Sequence, residues 1–310
     1  PVTYPSISMY FQKNVLRTIW EEAVKIIFLL QIGVGTLANV ILFFYNVSPI
    51  FFEHRQRPSH TILTHMSVVN VLVLLSSGIP HTTAVFLLRN PLSTLGCKFS
   101  FYISRVARQT TLCCTCVLST HQFFTLFPGR VECLMLRGRA PKVVGPFCCI
   151  CWIFSFLIHI FLPMKLTTSQ DMENDTDFRG TWFCPSSHFT SRMFTLLSIS
   201  DAMFLGLMGW ASGSSVLLLR RHHQRVQHIH TPNGSHKFLP EIRAVYTLLM
   251  LVVTFVIPYM LNSIFTFYIT YFLDTRLWWM QICNITALCF PTFSPLLLIL
   301  RDPRTPSFCS

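Results

Sequence analysis

Long apolar runs separated by short polar segments dominate the sequence. A run of about 20 apolar residues is long enough to cross a hydrocarbon core about 30 Å thick as an α-helix. Seven runs reach that length, and the pattern predicts an all-α, integral membrane bundle of seven transmembrane helices. The predicted helices cover approximately residues 24–45, 61–88, 96–127, 143–166, 191–219, 242–273 and 277–300.

The distribution of positive charge predicts the orientation of this bundle. Lys and Arg favour the loops that lie in the cytosol if the N-terminus is outside, as the positive-inside rule requires. Residues 1–23 are then a short extracellular segment, and residues 301–310 a short cytosolic tail. The acidic loop after the fourth run contains a sequon at Asn174, which can be glycosylated only on the lumenal side. We therefore expect a multi-pass protein of the plasma membrane with a cytosolic C-terminus.

Composition agrees with a protein whose surface contacts lipid. Of the 310 residues, 52% are hydrophobic and 12% are charged, and the charged fraction of a soluble domain is about twice as high. The net charge of +12 does not indicate nucleic-acid binding, because Lys and Arg flank the apolar runs instead of gathering on one soluble module. The sequence shows no serine-histidine-acid set, phosphate loop or paired carboxylates, and it predicts neither catalysis nor a cofactor.

Two arginines lie inside the third run, in the segment "FYISRVARQTTLCCTC". Arg105 and Arg108 are one turn apart on one helix face, and Arg108 falls near the middle of the membrane. An Arg that faces lipid there costs about 3 kcal/mol, so we expect both to face the bundle interior. Asp201, at similar depth in the fifth run, can neutralise one of them. We expect Arg108 to pair with Asp201 and Arg105 to bind a small ligand that bears an anionic or strongly accepting group, and a purely structural ion pair is the alternative.

Eight of the twelve cysteines fall into two groups. Cys97 and Cys184 lie on the predicted outer, oxidising side, where a disulfide between them would tie the acidic loop across the mouth of the bundle. Two unpaired thiols are the alternative. The clusters "CCTC" and "CCIC" lie inside the third and fourth runs. Within each cluster the three positions diverge too widely on a helix to hold one metal ion, so we expect these cysteines to pack the helices closely.

A basic, histidine-rich stretch, "RRHHQRVQHIH", follows the fifth run at residues 220–230. Metal binding is one interpretation of its four histidines. A helical extension that contacts anionic lipid headgroups or an acidic partner needs fewer assumptions. We therefore expect the stretch to contribute to a cationic cytosolic surface.

Four strings of the sequence carry a family resemblance. They are "LTHMSVVNVLVLLSSGIP" (63–80), "GCKFSFYISRVARQTTLCCTC" (96–116), "GLMGWASGSSVLLLRRHHQRVQHIH" (206–230) and "CFPTFSPLLLILRDP" (289–303). Together they resemble the vomeronasal type-1 pheromone receptor family. The resemblance implies a G-protein-coupled receptor for small pheromone-like chemosignals, coupled to an inhibitory-type G protein.

The same resemblance shows three departures from the wider rhodopsin-like pattern. The sequence "HQF" at residues 121–123 replaces the Asp-Arg-Tyr expected at the inner end of the third helix. Asn70 replaces the Asp of the sodium site, and residues 290–294 differ from the usual Asn-Pro-x-x-Tyr. A sodium-sensing pocket and an inner lock between Arg and its neighbouring Asp are therefore not expected.

Coupling to a G protein is expected at the inner end of the bundle. Arg108 and Gln122 share one face of the third helix at two depths, so a ligand at the arginines can reposition that end. Pro258 is a candidate hinge in the sixth helix, with a static kink as the alternative. The predicted coupling region comprises His121, Gln122, Phe123, Arg130, Arg220 and Arg221. A small transporter or channel with the arginines as its anion site is the alternative function, and a receptor-like chain that has lost signalling is a further one.

Overall fold

A computed structural model describes residues 7–52, 58–87, 94–126, 131–161, 191–228, 235–272 and 277–301. Within these ranges the chain forms seven α-helices and no strand. Each helix overlaps one of the seven apolar runs, so the described part of the chain has the all-helical architecture predicted from the sequence. The helices are α1 (Ile7–Phe52), α2 (Pro58–Leu87), α3 (Thr94–Leu126), α4 (Val131–His159), α5 (Ser191–His228), α6 (Ser235–Phe272) and α7 (Leu277–Arg301).

Several helix ends differ from the predicted spans. α1 begins at Ile7 instead of near residue 24, so much of the predicted extracellular segment is helical. α5 continues to His228 and includes most of the basic, histidine-rich stretch as a helical extension. α4 ends at His159, before the predicted residue 166. Hydropathy marks the residues that suit lipid, whereas backbone hydrogen bonds continue a helix beyond the hydrocarbon core, and this explains the longer helices.

The helices form one bundle with α3 at its centre. α1 packs against α2 and α7, and α6 packs against α5 and α7. α3 contacts α2, α4, α5 and α6, and most of its residues between 104 and 119 are buried. The helix that carries the two arginines is therefore surrounded by protein along its middle turns.

Large apolar side chains cover the outside of the bundle. Leu37 and Phe44 of α1, Leu157 of α4 and Trp210 of α5 expose 62%, 65%, 61% and 60% of their surface. Such extensive apolar exposure suits contact with lipid. Within the described ranges, four segments are long and apolar enough to cross a membrane, and two apolar helical segments are shorter. The four are Thr18–Ser48, Pro58–Gly78, Leu196–Leu218 and Gln281–Leu300, and the shorter two are Val143–His159 and Leu249–Phe265.

Four buried hydroxyl residues of α3 form hydrogen bonds within their own helix. Thr110, Thr111, Thr115 and Ser119 each donate a hydroxyl hydrogen bond to the carbonyl four residues earlier, over 2.9, 3.1, 2.7 and 2.9 Å. These hydroxyls need no partner on a neighbouring helix. α3 can therefore be polar in sequence and still pack at the centre of a membrane bundle.

A polar cluster joins α1, α2 and α7. Asn39 Nδ2 donates to the carbonyls of Gly35 and Pro291, each over 2.8 Å. Asn70 Nδ2 donates to Asn39 Oδ1 and Ser294 Oγ, each over 3.1 Å. The asparagine and serine side chains are buried. These bonds hold the proline-containing part of α7 against α1 and α2, and they fix the wall of the bundle opposite α5.

Candidate functional site

Arg105 and Arg108 lie one turn apart on α3 and interact with groups on α5, α6 and α7. Arg105 interacts electrostatically with Asp201 of α5 and Tyr259 of α6. Arg108 interacts electrostatically with Tyr259 and with Cys283 of α7. Both arginine side chains are partly buried. The fold thus brings the three residues predicted for the site into one region of the bundle interior.

The carboxylate of Asp201 connects α3, α5 and α6. It accepts a hydrogen bond from the hydroxyl of Tyr259, and it attracts the guanidinium group of Arg105. The Cζ atom of Arg105 also lies 5.2 Å from the ring centroid of Phe101, within the range of a cation–π interaction. A carboxylate that is poorly solvated needs such partners, because burying an unpaired charge is costly.

Arg108 has different partners from Arg105. Its Nε atom is buried and has no hydrogen-bond partner among the described residues. Asp201 acts on Arg105 but is not one of the groups that act on Arg108. The predicted ion pair between Arg108 and Asp201 is therefore wrong. Tyr259 acts on both arginines, whereas Asp201 of α5 acts on Arg105 and Cys283 of α7 acts on Arg108.

Three polar residues near Arg105 and Arg108 were not predicted as part of the site. Tyr259 is the hydrogen-bond donor to Asp201. His159, the last residue of α4, is buried and interacts electrostatically with Arg105. Gln109 follows Arg108 directly and donates from Nε2 to a buried serine hydroxyl of α5 over 3.2 Å. Each is a polar residue within an apolar run, and that pattern could have marked it as a candidate site residue. The sequence does not show how each helix is rotated, so it could not show that these side chains lie near the arginines.

The site has more positive than negative charge. Among the described residues, Asp201 is the carboxylate that acts on the pair of arginines, and it acts on Arg105. A guanidinium group without a carboxylate partner in a poorly hydrated space attracts an anion or a strong hydrogen-bond acceptor. The arrangement can therefore bind a small molecule that carries one acidic group.

Pro258 connects this site to the rest of α6. The helix continues through the proline from Ser235 to Phe272, but proline cannot donate a backbone hydrogen bond, so α6 lacks one bond at this turn. Tyr259 stacks on Phe255 with ring centroids 5.6 Å apart. Phe255 in turn meets Phe290 of α7 edge-on at 4.6 Å. The turn weakened by Pro258 is thus linked by direct contacts to Asp201 and to α7.

The predicted coupling residues are found near the C-terminal ends of α3 and α5. Phe123 packs against an aromatic ring of α5 with centroids 5.4 Å apart. His121 and Gln122 are partly buried, and His121 Nδ1 has no hydrogen-bond partner among the described residues. Arg220 and Arg221 are exposed on α5. The end of α3 is therefore packed against α5, and the end of α5 presents a cationic surface.

The two cysteine clusters meet between α3 and α4. Cys113 and Cys151 form a disulfide with Cα atoms 5.8 Å apart. The prediction that these clusters only pack the helices is wrong for this pair, because it considered each helix separately and not the contact between them. Other cluster members, Cys114, Cys116 and Cys148, are free and buried. In the part of the chain that the structure describes, no group of three His, Cys, Asp or Glu residues could hold a metal ion.

Some predicted residues lie outside the described residues. They are Arg130, Asn174 and Cys184, and the side chain of Cys97 is also not described. The disulfide between Cys97 and Cys184 and the glycosylation of Asn174 stay predictions.

Comparison with known proteins gives one consistent family. The sequence model of the vomeronasal organ pheromone receptor family matches residues 22–310. Vomeronasal type-1 receptor 2 of Homo sapiens is 37% identical over 289 residues, which are 91% of this chain and 72% of that protein. Vomeronasal type-1 receptor 3 of Homo sapiens is 36% identical over 92% of this chain and 93% of that protein. Olfactory receptor class A-like protein 1 of Danio rerio is 29% identical over 89% of this chain and 88% of that protein.

Proposed function

The chain belongs to the vomeronasal organ pheromone receptor family, a family of G-protein-coupled receptors, and we propose that it binds a small anionic chemosignal between its helices. The chemosignal is pheromone-like, and the bound receptor activates an inhibitory-type G protein. The receptor is a multi-pass protein of the plasma membrane with its N-terminus outside. The family and the apolar helices support this proposal.

The observation that carries the proposal is the difference between the two arginines. Arg105 is balanced by Asp201 and by the ring of Phe101. Arg108 has a buried Nε without a hydrogen-bond partner among the described residues, and no carboxylate is among the groups that act on it. Arg108 therefore anchors the acidic group of the ligand, and Arg105 positions Asp201. This assignment reverses the one expected from the sequence.

Coupling residues and outer features complete the proposal. The ends of α3 and α5 that carry Phe123 and Arg220 face the cytosol and contact the G protein, whose acidic surface suits a cationic receptor face. On the outside, a disulfide between Cys97 and Cys184 holds the acidic loop over the mouth of the bundle. Glycosylation of Asn174 marks the same side.

A test compares ligands that differ only in charge. Cells that express the chain with an inhibitory-type G protein are exposed to steroid sulfates and fatty acids and to the matching neutral alcohols. The anions are expected to be more potent by about tenfold or more, because a charge-assisted hydrogen bond is worth about 1.5–3 kcal/mol. Arg108→Gln is expected to abolish this preference at unchanged surface expression. Equal potency of anions and alcohols would contradict the anionic site, and ligand-dependent ion flux without G-protein activation would support the transporter or channel.

A further inference from the structure

A hydrogen bond between the hydroxyl of Tyr259 and the carboxylate of Asp201 joins α6 to α5. The ring of Tyr259 has an aromatic neighbour, since it stacks on Phe255. Tyr259 directly follows Pro258, where α6 lacks a backbone hydrogen bond. A polar bond therefore holds the turn of α6 that contains Pro258 against α5.

We infer that the Tyr259–Asp201 hydrogen bond is a latch that keeps the receptor inactive, and that an anionic ligand opens it. The inference rests on the proposed function, because it assigns a regulatory role to residues of the proposed ligand site. The inference goes beyond the proposed function because it names the hydrogen bond that the ligand must break and the helix, α6, that moves when this bond breaks.

The charges in the site give the reason for opening. Asp201 and the acidic group of a ligand at Arg108 are both negative, and both lie near Tyr259, which acts on the two arginines. Like charges in a poorly hydrated space repel, so an anion near Tyr259 weakens the hydrogen bond between the Tyr259 hydroxyl and Asp201. The Tyr259 hydroxyl can then donate its hydrogen bond to the ligand instead. Asp201 keeps the attraction of Arg105, so no charge is left without a partner.

The aromatic contacts give the route by which α6 responds. When the Tyr259 hydroxyl leaves Asp201, its ring moves with the turn beside Pro258 and changes its stacking on Phe255. Phe255 meets Phe290 edge-on, and Phe290 precedes Pro291, whose carbonyl is bonded to the polar cluster of α1 and α2. Opening the latch therefore shifts α6 away from α5 while α7 stays fixed to the opposite wall.

The test variant is Tyr259→Phe, which removes the hydroxyl and keeps the ring. The matched control is Tyr246→Phe, the same change on an exposed tyrosine of α6. Two readouts are measured without ligand, in receptor purified into lipid nanodiscs. One is nucleotide exchange on an inhibitory-type G protein. The other is the distance between spin labels on noncanonical amino acids at Leu217 of α5 and Met250 of α6, both exposed.

Tyr259→Phe is expected to raise ligand-independent nucleotide exchange about tenfold, from the loss of a hydrogen bond to a charged group. It is also expected to increase the population with a long distance between α5 and α6. Tyr246→Phe is expected to change neither. A longer distance without any exchange in any variant would support the latch and count against the proposed receptor function. An unchanged distance in folded Tyr259→Phe would overturn the latch, whatever the exchange assay shows.

Discussion

Replacing Arg105 or Arg108 of α3 by methionine is expected to change stability in opposite directions. Methionine has a similar length and no charge, and the two positions are three residues apart on α3. Arg105→Met removes the cation that compensates Asp201 and the contact with the ring of Phe101. Arg108→Met instead removes a buried Nε that has no hydrogen-bond partner among the described residues. It also removes a positive charge that repels the guanidinium group of Arg105.

The magnitudes follow from these contacts. Removing one partner of a fully buried ion pair costs about 3–5 kcal/mol, and the cost here is at the lower end because Arg105 and Asp201 are partly accessible. Adding about 0.5–1 kcal/mol for the cation–π contact gives a loss of about 3–4 kcal/mol for Arg105→Met. Arg108→Met is expected to gain about 1–2 kcal/mol, the cost of an unsatisfied buried donor. At about 2 °C per kcal/mol, the thermal midpoint falls by about 7 °C in the first variant and rises by about 3 °C in the second.

A thiol-reactive dye measures these midpoints in purified protein. Cys114, Cys116 and Cys148 are buried, so the dye reaches them when the bundle unfolds. The more stable Arg108→Met variant is also expected to lose its response to anionic ligands, since the same side chain anchors them. A fall in midpoint for Arg108→Met that equals the fall for Arg105→Met would refute the assignment of a structural and a ligand-binding arginine.

Further predictions concern packing and the polar cluster, measured with the same dye. Gly78→Ala is expected to lower the free energy of unfolding by about 1–3 kcal/mol, because the added methyl would lie 2.4 Å from Cδ1 of Ile32. In Gly33→Ala the added methyl would have no atom within 4 Å, so this change is expected to stabilise α1 by about 0.5–1 kcal/mol. A higher free energy of unfolding in both variants would contradict the close contact between Gly78 and Ile32. Asn39→Ala is expected to cost about 2–3 kcal/mol because it breaks bonds to α2 and α7. Asn46→Ala, which loses one bond within α1, is expected to cost less than about 1 kcal/mol, and equal losses would argue against the cluster.

The fold was largely predictable because an apolar run of membrane length is a strong signal. The ends of the helices were not, since hydropathy says nothing about a helix that continues into water, as α1 does at Ile7. The inward position of Arg105 and Arg108 was also predictable from the cost of exposing a charge to lipid. Those two residues indeed lie beside α5, α6 and α7.

The pairing of Asp201 with Arg105 could not be predicted from the sequence. Counting residues gives the depth of Asp201 but not the rotation of α5, and rotation decides that Asp201 acts on Arg105. Tyr259 gave little signal because tyrosine is common in membrane helices and carries no charge. The disulfide of Cys113 and Cys151 depends on which faces of α3 and α4 meet. A pattern read along one helix cannot supply that information.

The disulfide at Cys113 ties α3 to α4 at a point between Arg108 and Gln122. Arg108 lies five residues before Cys113 and Gln122 nine residues after it, about 8 Å and about 14 Å along the axis. Because the hydroxyl groups of the middle turns bond within α3, the helix can tilt without breaking them. For a rigid tilt of α3 about Cys113, each ångström of lateral displacement at Arg108 would correspond to about 1.8 Å in the opposite direction at Gln122. The axial distance from Cys113 to Gln122 is the longer of the two, and Gln122 lies among the predicted coupling residues.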